Sequence, residues 1–396
     1  MVAVQTNPRF RTPPGAARQA RRAAVAGLLL AASTLGLPAA AVGAPAPASA
    51  HDETIAPAPQ LPAPTGAAPV GVRTIALVDR TRSDPFAARR DGRAPRRALV
   101  VSLWYPARPS RAPLARYAPR RVLPALVADS GVSPAASRLR THARTDAPIA
   151  PGRHPLLLFS PGYAISRLGY QQLAEELASH GYLVAAVDHT YESPAVELPG
   201  GRLVRRSLTK RDAPRAIVLD TRVADVRFAL RTLQRTERDH VDPRRIGVFG
   251  HSLGGATAAN VMLRERGVRA GADLDGSIFG PVTRRGLDRP FLLFRANAAA
   301  VHDPSLTTFH ARLTGARPIV DLPTARHLSF GDLGVVARPA PAGVRRRVLG
   351  TIDPLRAVAV QRAVLTAFFD QALGRAPSAP LPAFPEAVVQ EDDGRR

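Results

Sequence analysis

From His154 onward, apolar runs of strand length alternate with stretches of helical spacing. Pro155 to Phe159 and Tyr182 to Val187 are continuous apolar runs, and each predicts a strand buried on both faces. Between them, Leu168 to His180 places its apolar residues at the helical period. Leu198 to Val204 turns on Gly200-Gly201 and predicts a small hairpin. Ile217 to Leu233 predicts an amphipathic helix, with Ile217, Val218, Val223, Val226, Leu230 and Leu233 near one stripe. Arg245 to Phe249 predicts a strand, Ala256 to Leu263 a helix rich in small residues, and Val268 to Leu274 another strand. Strands follow at Phe291 to Phe294 and Pro318 to Leu322, with a helix near Ser305 to Leu313 between them and a closing amphipathic helix at Leu355 to Leu373. Upstream, Val72 to Val78 and Ala98 to Tyr105 read as two β-rich strands that open the sheet. Pro106 to Arg153 is Pro- and Arg-rich, and predicts an irregular excursion with one short helix around Arg121 to Val127. Strands alternating with helices predict an α/β fold: a mostly parallel central sheet with helices on both faces, and a ligand site beyond the carboxyl ends of its strands.

The first 50 of the 396 residues read as a signal peptide. Arg9, Arg11, Arg18, Arg21 and Arg22 make a basic leader, and Ala23 to Leu37 is an apolar run too short to span a membrane. Ala48-Ser49-Ala50 is the main cleavage candidate, and Val42-Gly43-Ala44 an earlier one. Arg21-Arg22 directly before the apolar run suggests twin-arginine export, with the general secretory route as the alternative, so the expected destination is outside the cell. Residues 51–69 read as a disordered Pro/Ala-rich linker, 70–375 as the α/β domain, and 376–396 as a Pro-rich then polar tail.

Two composition facts narrow the chemistry. There is no cysteine, which excludes disulfides, thiolate catalysis and cysteine-ligated metals. The formal net charge is +24, and Lys210 is the only lysine among 55 basic residues. The arginines are scattered and aromatics make up 5% of the chain, so the pattern argues against nucleic-acid binding and for weak attraction to anionic surfaces. No His/Asp/Glu cluster has metal-ligand spacing, and no metal or cofactor is expected.

Gly250-His251-Ser252-Leu253-Gly254-Gly255 lies between a predicted strand and a predicted helix, the setting of a nucleophile elbow. Side chains at 250 or 254 would collide where strand and helix nearly touch. A serine hydroxyl needs a base, and the base needs a carboxylate to fix its tautomer. In this architecture the chain order is Ser, acid, His. Of the histidines after Ser252, His327 follows the last strand in a loop that can return to the elbow. His310 falls inside a predicted helix, and His302 comes early for the base. Asp275 ends the strand after the elbow helix and is the first candidate acid; Asp303 is its rival, and Asp273 reads as a cap or solvent-facing partner. An oxyanion hole needs two backbone N–H donors. Leu253, after the nucleophile, supplies one, and Tyr163 in Phe159-Ser160-Pro161-Gly162-Tyr163 the other, since Pro161 has no N–H. His189 ends a strand on the same side and reads as a structural or pocket-lining residue; His251 reads as packing beside the site without a chemical role.

These pieces together resemble the platelet-activating factor acetylhydrolase (isoform II) family of α/β-hydrolases and its bacterial secreted esterase and lipase-like relatives. The matching residues are Trp104-Tyr105-Pro106, Phe159 to Tyr163, Ala178 to His189, Gly250 to Thr257, Leu274-Asp275-Gly276 and His327 to Phe330, all within residues 70–375. Pro161 departs from the pattern, where the family often has histidine. The resemblance implies an α/β-hydrolase fold, a triad of Ser252, Asp275 and His327 with the acid after the strand that follows the elbow helix, and oxyanion donors at Tyr163 and Leu253. It implies a serine hydrolase acting on carboxylic esters, with a small-molecule or lipid ester as substrate. Separately from the resemblance, a monomer is expected. The alternatives are an acyltransferase using the same residues and a non-catalytic hydrolase-like protein that binds a surface.

Overall fold

The computed structural model describes residues 60–87, 93–130, 139–209, 214–297, 303–338 and 340–392, all within the unit Ala56–Arg396. The predicted signal peptide, the start of the linker and His302 lie outside the described residues. The strands are β1 (Val70–Ser83), β2 (Arg96–Pro106), β3 (Leu114–Arg116), β4 (Arg140–Thr145), β5 (His154–Ser160), β6 (Leu183–Asp188), β7 (Ala195–Leu198), β8 (Arg202–Arg205), β9 (Val241–His251), β10 (Ala270–Leu274), β11 (Phe291–Ala296), β12 (Ile319–Leu322) and β13 (Val388–Gln390). The helices are α1 (Leu123–Ser130), α2 (Gln171–Ser179), α3 (Arg215–Thr236), α4 (Leu253–Arg264), α5 (Val282–Arg285), α6 (Pro304–His310), α7 (Leu333–Val336), α8 (Ala342–Leu349) and α9 (Pro354–Ala372).

All strands but the β7–β8 hairpin join one sheet in the order β13-β12-β11-β10-β9-β5-β6-β2-β1-β4-β3. From β12 across to β6 the strands run parallel, while β2 is antiparallel to both β6 and β1. Apart from the exposed Pro243, Arg244 and Arg245 early in β9, the parallel strands are largely buried because each face is covered. Alternate residues feed two cores: Leu156, Leu158, Val248 and Leu293 pack with Val223, Val226 and Leu230 of α3. Leu157, Phe159, Phe249 and Phe294 pack with Leu173 of α2 and with Val360, Val364 and Phe369 of α9. This is the α/β fold that the pattern predicts, with helices on both faces of a mostly parallel sheet.

Four expectations need correction. The segment expected to be disordered up to residue 69 is docked from Gln60 onward: Leu61 is buried, and Thr65 donates its backbone N–H to Glu176 of α2 (2.9 Å). Its prolines suit an extended strap satisfied by side-chain partners such as Arg362, which donates to the carbonyls of Pro62 (2.9 Å) and Ala63 (2.8 Å). At the other end, the expected tail pairs with the sheet as β13, antiparallel to β12, and covers its edge. Within the expected excursion, β3 and β4 extend the sheet beyond β1. Only Thr141 and Ala143 of β4 face inward, so the strand carries almost no apolar signal. On α3, Ile217 is 47% exposed, and the buried stripe instead includes Arg222 and Asp225.

Candidate active site

β9 ends at His251, α4 begins at Leu253, and Ser252 alone makes the turn, with φ 56° and ψ −120°. A left-handed φ on a residue with a side chain is strained, and surrounding packing must hold it. A Cβ on Gly250 would come within 2.3 Å of the Gly254 backbone, and one on Gly254 within 1.9 Å of the Ser160 carbonyl. The close approach that requires glycine at both positions is therefore real. The Ser252 N–H donates to the carbonyl of Leu274 (2.9 Å), which sets the elbow beside the end of β10 and its next residue, Asp275.

Asp275 also has a left-handed φ, 57°, and its carboxylate is held at both oxygens. Oδ1 accepts the N–H of Ala296 (2.7 Å) and Oδ2 pairs with His327 Nδ1 (2.7 Å). An ionised carboxylate only accepts, so Nδ1 carries the proton and a neutral His327 presents its lone pair at Nε2. The structure thus brings Asp275 and His327 into contact and places Ser252 beside Asp275 at the carboxyl edge of the sheet. His327 is about half exposed, Ser252 is half-buried and Asp275 is mostly covered. The rival Asp303 is spent as the N-cap of α6, accepting the N–H of Ser305 (2.8 Å). His310 sits at the end of α6 with Nε2 against the carbonyl of Arg317 (3.0 Å).

Asp273 is neither an exposed cap nor a solvent-facing group. It is fully buried beneath the elbow, where burial raises its carboxyl well above the usual range. One oxygen accepts the N–H of Gly276 (2.9 Å); the other faces Gly255, where a Cβ would lie 1.6 Å away.

His251 does more than pack. It is fully buried, and burial, then the neighbouring His327, push its pKa well down, so the ring is neutral. Nε2 lies 2.9 Å from the His327 carbonyl, which only accepts, so Nε2 carries the proton. Nδ1 must then accept from the Tyr170 hydroxyl (2.7 Å), whose oxygen receives the Gly162 N–H (3.3 Å). His251 thereby ties the loop after β5 to the loop that carries His327. Its ring also packs against those of His327, with centroids 4.5 Å apart, and Phe330. Leu253 is the first residue of α4, where the N–H has no intrahelical acceptor. Tyr163 follows Gly162 in the loop after β5, and its hydroxyl donates to the carbonyl of Leu208 (3.0 Å). His189 is buried: Nδ1 contacts Asp225 (3.0 Å) and Nε2 contacts Ser160 Oγ (3.0 Å). Among the described residues, no group of three His, Asp or Glu side chains is placed to hold a metal ion.

The His327 loop is anchored behind the site. Ser329 donates through Oγ to the Leu349 carbonyl (2.7 Å), and Gln361 donates to the carbonyl of Ser329 (3.0 Å). Farther on, the fully buried Asp332 accepts the N–H groups of Gln171 (2.9 Å) and Gln172 (3.0 Å) at the start of α2. Burial pushes its carboxyl up to about 7 from an ordinary 3.8. A raised acid contributes stability that is full below about pH 4 and is lost as pH rises through 7. The deficit in Tm caused by Asp332→Asn is therefore expected to shrink between pH 5 and pH 8. Thermal melts of wild type and variant across that range check it, and a deficit that grows with pH contradicts it.

Sheet order, helices on both faces and a serine elbow at the carboxyl edge define an α/β-hydrolase. The sequence profile of platelet-activating factor acetylhydrolase, isoform II, matches residues 94–199. A solved ferulic acid esterase from Streptomyces cinnamoneus is 37% identical and superposes with a TM-score of 0.75, covering 84% of this chain and 99% of that one. A protein of Arthroderma benhamiae named as a probable 1-alkyl-2-acetylglycerophosphocholine esterase is 31% identical over 216 residues, 51% of this chain. The platelet-activating factor acetylhydrolase of Bos taurus is 26% identical over 262 residues, 56% of this chain. The chain spans 54% and 58% of the lengths of these two relatives. It belongs to the platelet-activating factor acetylhydrolase isoform II family of α/β-hydrolases.

Proposed function

We propose that this protein is an exported serine hydrolase that cleaves carboxylic esters through an acyl-enzyme on Ser252. The observation that carries the reading is the 2.7 Å Asp275–His327 hydrogen bond beside a serine held at φ 56° between strand and helix. Ser252 Oγ attacks the ester carbonyl while His327 Nε2 takes its proton. Asp275 holds the ring tautomer and supports the imidazolium. The N–H groups of Leu253 and Tyr163 receive the developing oxyanion. His327 then protonates the leaving alcohol, and water repeats the sequence in reverse to release the acid.

The relatives named for ester hydrolysis support the reaction class, and their names span an acetyl ester of a glycerophospholipid and an ester of an aromatic acid. A small-molecule or lipid ester is accordingly the proposed substrate. Export rests on the basic leader and short apolar run before residue 50, and the net charge of +24 favours weak attraction to anionic surfaces.

The test is a series of nitrophenyl esters from acetyl to decanoyl, with methyl ferulate and 1-alkyl-2-acetylglycerophosphocholine alongside. At least one ester is expected to reach kcat/KM of about 10⁴ M⁻¹s⁻¹ or more, with free acid equal to released alcohol. No turnover of any ester contradicts the proposal. Transfer of the acyl group to added glycerol in place of free acid replaces hydrolysis with acyl transfer.

A further inference from the structure

We propose that Arg222 is a positioning residue that aims the Tyr163 N–H at the reacting carbonyl oxygen; the inference rests on the oxyanion role given to Tyr163 above. Arg222 lies on α3 and is 1% exposed, yet its guanidinium is fully used. Nη1 donates to the Pro161 carbonyl (2.8 Å) and to Ser160 Oγ (3.2 Å), and Nη2 donates to the Gly162 carbonyl (3.2 Å). Nε donates to both Glu192 oxygens (2.9 and 3.1 Å), and Nη2 closes the pair. One planar cation therefore grips Ser160 at the end of β5 and the next two residues, Pro161 and Gly162, while a carboxylate balances its buried charge.

The consequence for Tyr163 follows from amide geometry. In a trans peptide the C=O and N–H point in opposite directions. The carbonyl of Gly162 and the N–H of Tyr163 belong to the same peptide unit. Drawing that carbonyl toward Arg222 turns the Tyr163 N–H away from α3. The Gly162 N–H is itself engaged by the Tyr170 hydroxyl (3.3 Å), so the freest residue in the loop is tied on both sides. A cation bonded to the carbonyl also polarises the amide and strengthens its N–H as a donor. Both effects act where negative charge develops, and neither requires Arg222 to touch substrate.

The clamp is braced from behind. Ser160 Oγ accepts from Arg222 and donates to Nε2 of His189, a ring kept neutral by burial and by the nearby Arg222 cation. His189 Nδ1 donates to Asp225, which also receives Arg97 (2.6 and 3.1 Å) and Arg82 (2.9 Å). Arg97 continues to Asp84 (2.9 Å) and to the Thr190 carbonyl (3.0 Å). Ser160, His189 and Asp225 have the connectivity of a hydrolytic relay, but none is more than 1% exposed and no substrate reaches them. Their geometry serves to fix the loop end of β5 against the end of β6 and α3.

The experiment compares wild type with Arg222→Met, Arg222→Lys, Glu192→Gln and Ser252→Ala on a nitrophenyl ester and its thionoester, with thermal melts to certify folding. Sulfur accepts hydrogen bonds poorly, so preference for the oxygen ester reports the oxyanion donors. Arg222→Met is expected to lower kcat about 10²-fold, with KM within about threefold of wild type. The oxygen-ester preference is expected to fall about tenfold. Arg222→Lys and Glu192→Gln should show smaller losses of the same kind. A folded Arg222→Met with unchanged preference, or with its whole loss in KM, overturns the proposal. If that variant does not fold, an unmoved preference in both milder variants overturns it equally. An active wild type with an inactive Ser252→Ala and unmoved preferences rejects the clamp alone. A wild type that turns over no ester rejects the oxyanion reading and the clamp together.

Discussion

Replacing Ser252 by alanine is expected to lower kcat by about 10⁶-fold, with Tm within a few degrees of wild type. The methyl group keeps the Cβ that the elbow already accommodates at φ 56°, and the backbone bond from residue 252 to the Leu274 carbonyl is untouched. Only the attacking oxygen is lost. Substrate binding and the Leu253 and Tyr163 donors are retained, so the residual rate should stand above that in water and KM should move little. Steady-state kinetics on the best nitrophenyl ester measures it. A variant that keeps a tenth of wild-type turnover would remove Ser252 from the mechanism.

Asp275→Asn should cost about 10⁴-fold in kcat, and the structure says why. Oδ1 is committed to the Ala296 N–H at 2.7 Å, so an asparagine keeps its carbonyl oxygen there. Its NH₂ must then face His327 Nδ1, where Oδ2 now accepts at 2.7 Å. A donor at that place forces the proton to Nε2 and turns the ring's lone pair away from the serine side. Asp303→Asn is the matched control. Asparagine caps a helix as well as aspartate, so α6 should persist and kcat should stay within about threefold of wild type. A large loss in the Asp303 variant with little in the Asp275 variant would exchange their roles.

The parallel core and the elbow were legible because each rests on a local signal. A strand covered on both faces is an unbroken apolar run, and the two flanking glycines mark the contact that excludes a side chain. Asp275 and His327 were singled out by strand end and loop position, and they meet at 2.7 Å; Asp303, read from the sequence as the rival acid, caps α6 instead. The sheet edges were not, because β4 turns only Thr141 and Ala143 inward and β13 is three residues long. Arg222 and Asp225 were hidden for a different reason. An arginine and an aspartate three apart on an amphipathic helix read as a solvent face. Here they are buried, because their partners come from β2 and from the loops after β6 and β5, pairings that no local window contains. The tie made by His251 was likewise invisible, since its partners stand 81 and 76 residues away.

The most direct test is to treat the folded chain with a fluorophosphonate and map the modified residue by peptide mass spectrometry. A single adduct on Ser252, formed in step with loss of ester turnover and absent in Ser252→Ala, is the expected result. An adduct on Ser160, whose hydroxyl also faces a histidine but lies buried, would contradict the account. So would full ester turnover in a chain that takes up no probe.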